Sequence, residues 1–326
     1  MNINELIEIF KTKYKKALIT GGAGFIGSHI AEELVEAGIE VVSLDDYSAG
    51  KTKNHAHLDN YSNFNSVKCD ITDMSQLKQH FEGVDIVFHD AASKKNICLH
   101  DPRRDLRVNA EGTFNLLELS LNNHVRKFVH ASTGSVYGEP KHFPQDENHP
   151  LSPVSYYGVS KLAGERYVNL FNHTFGLDTT ILRYFHVYGH RQESNEFGGV
   201  VSIFTRNMVN GERPVIFGDG TQNRSFTYVK DIVKGNLAVA CLEEAEGEAY
   251  NLASSISITI NDLCLAVIKE FGKEGEVEPI YEDWLVGDIK NFEIDNSHIR
   301  SLGIDFEVNF FEVLKDVIKN LKEELL

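Results

Sequence analysis

The chain has 326 residues, of which 42% are hydrophobic and 25% are charged, and its formal net charge is −16 at pH 7. These proportions are ordinary for a globular protein, and the length suffices for one large α/β domain or two unequal ones. The strong negative charge argues against nucleic-acid binding, which needs a concentrated basic surface. A small anionic ligand could still be held by a few local arginines.

No stretch of sequence approaches the roughly 18 uncharged apolar residues of a membrane span. The first residues also lack the basic and then apolar pattern of a secretion signal, so we expect a cytoplasmic protein without membrane association. The four cysteines, Cys69, Cys98, Cys241 and Cys264, form neither a CxxC motif nor a cluster with histidine. This spacing predicts reduced, mostly buried thiols and no metal site.

Apolar runs alternate with helical patterns from residue 16 to about residue 185. After an amphipathic helix in the first fifteen residues, strands are predicted at 17–20, 40–44, 66–69, 84–89, 127–131 and 179–183, and helices at about 24–37, 109–122 and 155–175. Repeated units of this length need right-handed crossovers between parallel strands. The predicted fold class is therefore α/β, a doubly wound parallel sheet of the Rossmann type.

The alternation of strand and helix patterns becomes irregular beyond about residue 185, with longer loops and a polar turn at 218–223. We predict a smaller α+β region there that caps the carboxyl ends of the strands, where open α/β sheets bind ligands. A helix at 229–242 and a strand at 249–253 indicate one return to the sheet. The predicted domains are 1–185, with a return segment near 228–253, and mainly 186–326.

A glycine-rich turn at 21–27, with the spacing GxxGxxG, follows the first strand and opens a helix. Gly21 permits the tight bend, Gly24 lets the backbone approach a pyrophosphate, and Gly27 lets the helix pack on the sheet. The helix N-terminus would face the phosphates. A purely structural turn is the alternative interpretation.

Asp45, at the end of the next strand, favours the functional interpretation of this turn. Its carboxylate can accept hydrogen bonds from a ribose 2′-hydroxyl and would repel a 2′-phosphate. Asp46 adds to that repulsion. The predicted cofactor is therefore NAD and not NADP.

Tyr157 and Lys161 lie four residues apart in the predicted helix at 155–175. This spacing puts a phenol and an ammonium on one face of the helix, with their heads close. Because a cation stabilises a phenolate, we expect the pKa of Tyr157 to fall from about 10 toward working pH. The pair predicts a nicotinamide enzyme with its own catalytic base. Tyr156 lies off that face and is predicted to be structural.

These motifs and their order resemble the extended short-chain dehydrogenase/reductases of nucleotide-sugar metabolism, over nearly all of residues 16–299. The resemblance is carried by residues 20–27, 44–46, 69–71, 89–92, 109, 112–113, 132–138, 157, 161, 182–185 and 218–224. It implies that the first domain binds NAD and that the second mainly binds a small nucleotide sugar.

Matching positions imply a role for each residue. The implied NAD contacts are Gly21, Gly24, Phe25, Ile26, Gly27, Asp45, Asp46, Asp70, Ile71, Ala91, Lys94, Asn109, Tyr157, Lys161 and Phe185. The implied substrate contacts are Thr133, His186, Val200, Phe217 and Arg224. By the same resemblance Thr133 hydrogen-bonds the sugar 4-hydroxyl, Tyr157 is the base, and Lys161 binds the nicotinamide ribose and holds the phenolate.

The resemblance also implies a first step in which the sugar C4 is oxidised to a ketone. In 4-epimerases the ketone turns over and is reduced on its other face, whereas 4,6-dehydratases carry a motif similar to Thr-Asp-Glu at the catalytic threonine. Here Gly134 and Ser135 follow Thr133, so both carboxylates are missing, as is the Ser-Glu pair of UDP-glucuronate decarboxylases. The predicted function is 4-epimerisation, UDP-linked by preference; the alternatives are a 4,6-dehydratase or a non-catalytic NAD sensor.

Substrate anchoring departs from the family's pattern. A second arginine is usual in a later Arg-Pro-Gly-Asp turn, where this chain has Leu285, and Arg191 or Arg206 could substitute for it. Asp90 stands where the family tends to be apolar, and it could favour oxidised nicotinamide or occupy a solvated loop.

A basic segment at 95–104 precedes the helix at 109–122. Lys95, Arg103 and Arg104 could line a pocket for an acidic sugar, or they could form a solvated face, which is the favoured interpretation.

The helices at 109–122 and 155–175 carry apolar residues on more than one face, among them Leu116, Leu117, Leu119, Leu162 and Phe171. By resemblance, two copies of this helix pair form a four-helix interface. We therefore predict a homodimer.

Overall fold

A computed structural model describes residues 1–93, 95–195, 198–284 and 290–325. The helices are α1 (Ile3–Lys13), α2 (Phe25–Glu36), α3 (Met74–Leu77), α4 (Lys95–His100), α5 (Pro102–Leu106), α6 (Thr113–Asn122), α7 (Tyr156–Phe175), α8 (Val200–Val209), α9 (Val229–Cys241), α10 (Ile260–Glu270), α11 (Ser297–Ser301) and α12 (Phe310–Leu325). The strands are β1 (Lys16–Thr20), β2 (Glu40–Asp45), β3 (Phe64–Lys68), β4 (Ile86–His89), β5 (Lys127–Thr133), β6 (Thr179–Tyr184), β7 (Val187–Tyr188), β8 (Val215–Phe217), β9 (Asn223–Ser225), β10 (Thr227–Tyr228), β11 (Ala249–Leu252), β12 (Ser257–Thr259) and β13 (Ile280–Glu282).

Seven strands form one parallel sheet in the order β11-β6-β5-β4-β1-β2-β3. The chain order reverses beside β1, so the carboxyl ends of β1 and β4 flank a crevice of the kind that binds ligands in such folds. β11 pairs with β6, and the predicted return of the chain to the sheet is therefore present. The predicted fold class, a doubly wound parallel sheet, is confirmed.

Helices cover both faces of this sheet, as its largely apolar central strands require. On one face α1, α2 and α9 bury side chains that include Phe10, Leu34 and Leu237. On the other face α6 and α7 bury Leu117 and Phe171. Among the described residues, no helix is long and apolar enough to cross a membrane.

Three small two-stranded sheets, β10-β7, β12-β9 and β13-β8, lie among the later elements of the chain. A separate core of buried side chains joins α8, α10 and α12 and includes Phe204, Leu263 and Val317. The strands of this carboxyl-terminal region are thus shorter than those of the main sheet, and the region mixes helices with small sheets, as the sequence predicts.

The predicted helix at 109–122 begins differently in the structure. Arg107–Gly112 forms a wider, π-helical turn before α6 starts at Thr113. Gly112 packs directly on Ile71, where a Cβ atom would lie 2.6 Å from the Ile71 Cδ1 atom. Such turns recur beside functional sites because they redirect side chains without ending the helix.

All four cysteines are free and buried, as predicted.

Candidate active site

A cavity runs along the carboxyl edge of the sheet, and its lining joins most of the residues that the sequence singles out. Its walls come from the glycine turn, from the ends of β2, β4 and β5, and from α7. The predicted cofactor contacts in its lining are Gly21, Gly24, Phe25, Ile26, Gly27, Asp45, Asp46, Asp70, Ile71, Ala91, Tyr157 and Lys161.

The glycine turn needs its glycines for steric reasons. Gly21 has a φ of +69°, in the left-handed region. A Cβ atom on Gly27 would lie 2.4 Å from the carbonyl oxygen of Gly21, so any side chain there would push α2 off the turn. Gly24 caps α2 without a side-chain hydrogen bond. The first N–H groups of α2 therefore remain available at the cavity wall, which suits an anionic diphosphate.

Asp45 is held rigidly beside this turn. Its Oδ2 atom accepts from the Ala23 N–H at 3.0 Å and its Oδ1 atom from the Tyr47 N–H at 2.8 Å. Burial raises the pKa of this carboxyl, and the two backbone hydrogen bonds oppose that effect. A fixed acceptor at the end of β2 fits a ribose hydroxyl, as the sequence predicts. The residues present therefore fit NAD.

Two predicted cofactor contacts, Asn109 and Phe185, do not line the cavity, and a third falls on a residue that the structure does not describe. Lys94 lies outside the described residues. Asn109 is fully buried directly behind Ser93, which lines the cavity and donates its N–H to Asn109 Oδ1 at 2.9 Å. Its amide nitrogen donates to Asp105 at 2.7 Å and to Ser160 at 3.1 Å. Phe185 is packed behind Gly134 and stacks on Tyr137.

Tyr157 and Lys161 lie one turn apart on α7, which Ser155 caps by accepting from the Gly158 N–H at 3.1 Å. Both side chains reach the cavity, where Lys161 is 1% exposed. The predicted lowering of the tyrosine pKa is wrong in this structure. Burial raises the pKa of Tyr157, Cys98 and Asp105 add to the rise, and a hydrogen bond with Thr133 opposes it.

Burial also disfavours the charge on Lys161 and lowers its pKa to about 8, against the attraction of Asp90 and Glu165. Asp90 faces the same cavity, and burial raises its pKa to about 7 despite Lys161 and a hydrogen bond from Tyr184. The Tyr184 hydroxyl donates to the Asp90 Oδ1 atom at 3.4 Å. Asp90 therefore lines the site beside Lys161 and does not lie in a solvated loop.

A buried ion pair fixes the frame around these groups. The Arg183 guanidinium on β6 donates to both carboxylate oxygens of Glu165 on α7, at 3.0 Å and 2.9 Å. Ser132, at the end of β5, donates to Glu165 Oε1 at 2.5 Å. Glu165 follows Lys161 by four residues on the same face of α7, a spacing that could have revealed it in the sequence.

Thr133 ends β5, one residue beyond the cavity lining. Its Oγ1 atom accepts from the Ser135 N–H at 3.1 Å and so caps a short 3₁₀ turn at Gly134–Val136. A Cβ atom on Gly134 would lie 2.3 Å from the Phe185 ring. The position after Thr133 therefore has no room for a side chain.

The predicted substrate residues lie farther along the chain. His186 and Arg224 meet on Phe292, with the His186 ring 5.1 Å and the guanidinium carbon 5.3 Å from its centre. Val200 begins α8, and Phe217 is partly exposed at the end of β8.

One candidate for a second phosphate-binding arginine has a defined partner in the structure, and Arg206 lies on α8. Leu285 lies outside the described residues. Arg191 donates to Glu32 on α2 at 2.8 Å, so it is engaged there and is a poor substitute for the missing arginine.

A doubly wound sheet with a glycine-rich phosphate turn and a tyrosine-lysine pair at its carboxyl edge defines a dinucleotide-dependent enzyme of the Rossmann class. The sequence model of the NAD dependent epimerase/dehydratase family matches residues 17–253, and the chain belongs to this family. The predicted family and cofactor are thereby confirmed.

Proteins that are similar in sequence or structure are named as nucleotide-sugar epimerases or dehydratases. A UDP-glucose 4-epimerase of Mycolicibacterium smegmatis is 34% identical over 293 residues, which cover 88% of this chain and 92% of that protein. The crystal structure of a UDP-glucose 4-epimerase with UDP-glucose from Thermotoga maritima is 35% identical with a TM-score of 0.89, over 95% of this chain and all of that one. A dTDP-glucose 4,6-dehydratase of Streptomyces venezuelae, with NAD bound, is 28% identical with a TM-score of 0.87, over 94% and 97% of the two chains.

Proposed function

We propose that the protein is an NAD-dependent 4-epimerase of a nucleotide sugar, UDP-linked by preference. The single observation that carries this proposal is the sequence at the catalytic threonine, Thr133 followed by Gly134 and Ser135. It offers a hydroxyl for the sugar and no carboxylate for eliminating water. The names of the relatives with the highest identity reported above agree with this activity.

The proposed roles follow the positions of the side chains. Residues 1–185 and the return segment near 228–253 hold NAD, with the glycine turn at the diphosphate and Asp45 at the adenosine ribose. Bound NAD supplies a hydride acceptor and donor for the sugar C4. Thr133 and Tyr157 bind the 4-hydroxyl, and Tyr157 removes its proton and later returns one. Lys161 supplies the positive charge that stabilises the phenolate.

The proposed assignment has a consequence for the tyrosine. Because burial keeps the phenol protonated, Tyr157 becomes a base only when positive charge is gathered beside it. Lys161 is the cation four residues away on α7, and Asp90 and Glu165 help it to keep its proton. We propose that these two carboxylates position the base through Lys161 without touching the sugar.

A 4,6-dehydratase is the second candidate, because a solved dehydratase shares the fold. The close contact between Gly134 and Phe185 weighs against it, since an acid at this position would displace the ring. The carboxylates for elimination would have to come from other elements.

Incubation of the purified protein with UDP-hexoses, UDP-N-acetylhexosamines, UDP-hexuronic acids and GDP-sugars tests the proposed function. We expect one UDP-sugar to convert to an isomer of equal mass that differs at C4. A stable ketone lighter than its substrate by one water would favour the dehydratase, and inertness toward every sugar would favour a sensor.

We also propose a cytoplasmic homodimer formed through α6 and α7. The apolar residues named in the sequence, such as Leu116 and Phe171, are buried in the core of the subunit and are not available for this contact. Other apolar side chains are exposed on the same helices. Phe114 and Tyr167 touch across them with ring centres 5.4 Å apart, and Leu170 is 45% exposed.

Light scattering at micromolar concentration should therefore give the mass of a dimer. Leu170→Glu should shift the protein to monomer, because it places a charge in the apolar contact. Leu265→Glu, at a leucine on α10 that is 58% exposed, is the control and should remain a dimer. A monomeric wild-type protein would contradict the proposed interface.

A further inference from the structure

Arg104 joins two carboxylates at one end of the cofactor cavity. It lies on α5, and its Nη2 atom donates to Asp46 Oδ2 at 2.6 Å while its Nη1 atom donates to Asp70 Oδ2 at 2.8 Å. All three side chains line the cavity. The interpretation of Arg104 as part of a solvated face is therefore wrong, whereas its neighbour Arg103 is exposed.

The other oxygen of each carboxylate is already used within its own loop. Asp46 Oδ1 accepts from the Ser48 N–H at 2.8 Å, and Asp70 Oδ1 accepts from the Thr72 N–H at 2.9 Å. The guanidinium therefore donates to the remaining oxygen, Oδ2, of each aspartate. A planar fork fixes two such oxygens in direction as well as in distance.

The position of this cluster identifies the end of the dinucleotide that it faces. Tyr157 and Lys161 mark the nicotinamide end, and the glycine turn marks the diphosphate between the two ends. Asp46 directly follows β2 and Asp70 follows β3, on the opposite side of the glycine turn from α7. Arg104 therefore lies at the adenosine end.

Charge at this end bears on the choice between NAD and NADP. Asp45, Asp46 and Asp70 bring three carboxylates to a site whose ligand carries a negative diphosphate, and Arg104 offsets one of them. An arginine near a ribose 2′-position commonly accommodates a 2′-phosphate. Here the guanidinium is instead engaged by Asp46 and Asp70.

We propose that Arg104 is a positioning and specificity residue for the cofactor, which fixes Asp46 and Asp70 around the adenosine and is kept by Asp46 from binding a 2′-phosphate. This inference rests on the proposed NAD site and not on the sugar chemistry. Loss of Arg104 leaves two half-buried carboxylates unpaired and close together, so NAD should bind more weakly. Loss of Asp46 frees the Nη2 side of the guanidinium for a phosphate, while Asp70 still holds the Nη1 side.

Calorimetric titration of nucleotide-stripped protein with NAD and NADP tests the inference. Arg104→Gln should raise the Kd for NAD about 3- to 30-fold, the range for a charge-assisted hydrogen bond at a partly exposed site. Arg103→Gln is the matched control and should bind NAD as the wild type does. Circular dichroism and thermal unfolding of each variant establish that the fold is intact.

Variants of Asp46 separate the choice between NAD and NADP from a general loss of cofactor affinity. Asp46→Ser should tighten NADP binding about tenfold, the gain from one charge-assisted contact, and the double variant Asp46→Ser/Arg104→Gln should lose that gain. Equal or tighter NAD binding by Arg104→Gln, or an NADP gain that persists without Arg104, would overturn the inference alone. A wild-type protein that binds no NAD would refute the proposed function and this inference together.

Discussion

Replacing Tyr157 with phenylalanine should lower kcat about 10²- to 10⁴-fold, the usual contribution of a positioned general acid-base group. The substitution removes only the hydroxyl that exchanges a proton with the sugar. The ring still fills its half-buried place on α7, so NAD should remain bound. Steady-state kinetics on the substrate found in the nucleotide-sugar panel, with calorimetric titration of NAD, measures both effects.

Tyr156→Phe is the matched control for this variant. Tyr156 is adjacent in sequence but 59% exposed, on the outer side of α7. It should retain the turnover of the wild type. Unaltered turnover in Tyr157→Phe would contradict the mechanism, and loss of turnover in both variants would point to damage to α7 instead of loss of the base.

Breaking the buried pair of Glu165 and Arg183 should produce the largest loss of stability. Both side chains are almost fully buried, at 1% and 4% exposure, and they share two hydrogen bonds. Glu165→Leu strands the guanidinium without its counter-charge, which typically costs about 3–5 kcal/mol of unfolding free energy. Urea denaturation followed by circular dichroism measures this loss.

A double variant isolates the pair from its surroundings. Glu165→Leu/Arg183→Leu removes both charges and should lose less than the sum of the two single variants. Glu276→Leu is the control, because Glu276 pairs with Lys273 at 2.7 Å on the exposed surface and its loss should change stability little. Additive losses in the double variant would contradict an energetic coupling of the pair.

Local patterns in the sequence predict much of the fold and part of the site. Strand and helix units from residue 16 onward follow from apolar periodicity, and the return of β11 to the sheet follows from one run at 249–253. The glycine turn and the pair of Tyr157 and Lys161 are recognisable because short spacings dictate their geometry. These features depend on neighbours within a few residues.

Features that depend on distant partners are not predictable in this way. Arg104 contacts Asp46 and Asp70 from 58 and 34 residues away, and no local pattern indicates that contact. The pKa of Tyr157 rises because burial outweighs its hydrogen bond with Thr133, and burial is a property of the whole fold. The outward face of α6 differs from the prediction because the sheet and α7 bury its leucines, while Phe114 is exposed.

The fate of the hydrogen on C4 of the sugar tests the central claim most directly. A UDP-sugar substrate labelled with deuterium at C4 should give an isomer of the same mass, inverted at C4, with the deuterium still on that carbon by NMR and mass spectrometry. This result is expected because bound NAD would take the hydride from C4 and return it there, while Thr133, Gly134 and Ser135 offer no acid for elimination. A product lighter by one water, with a ketone at C4 and the label gone from that carbon, would contradict the account.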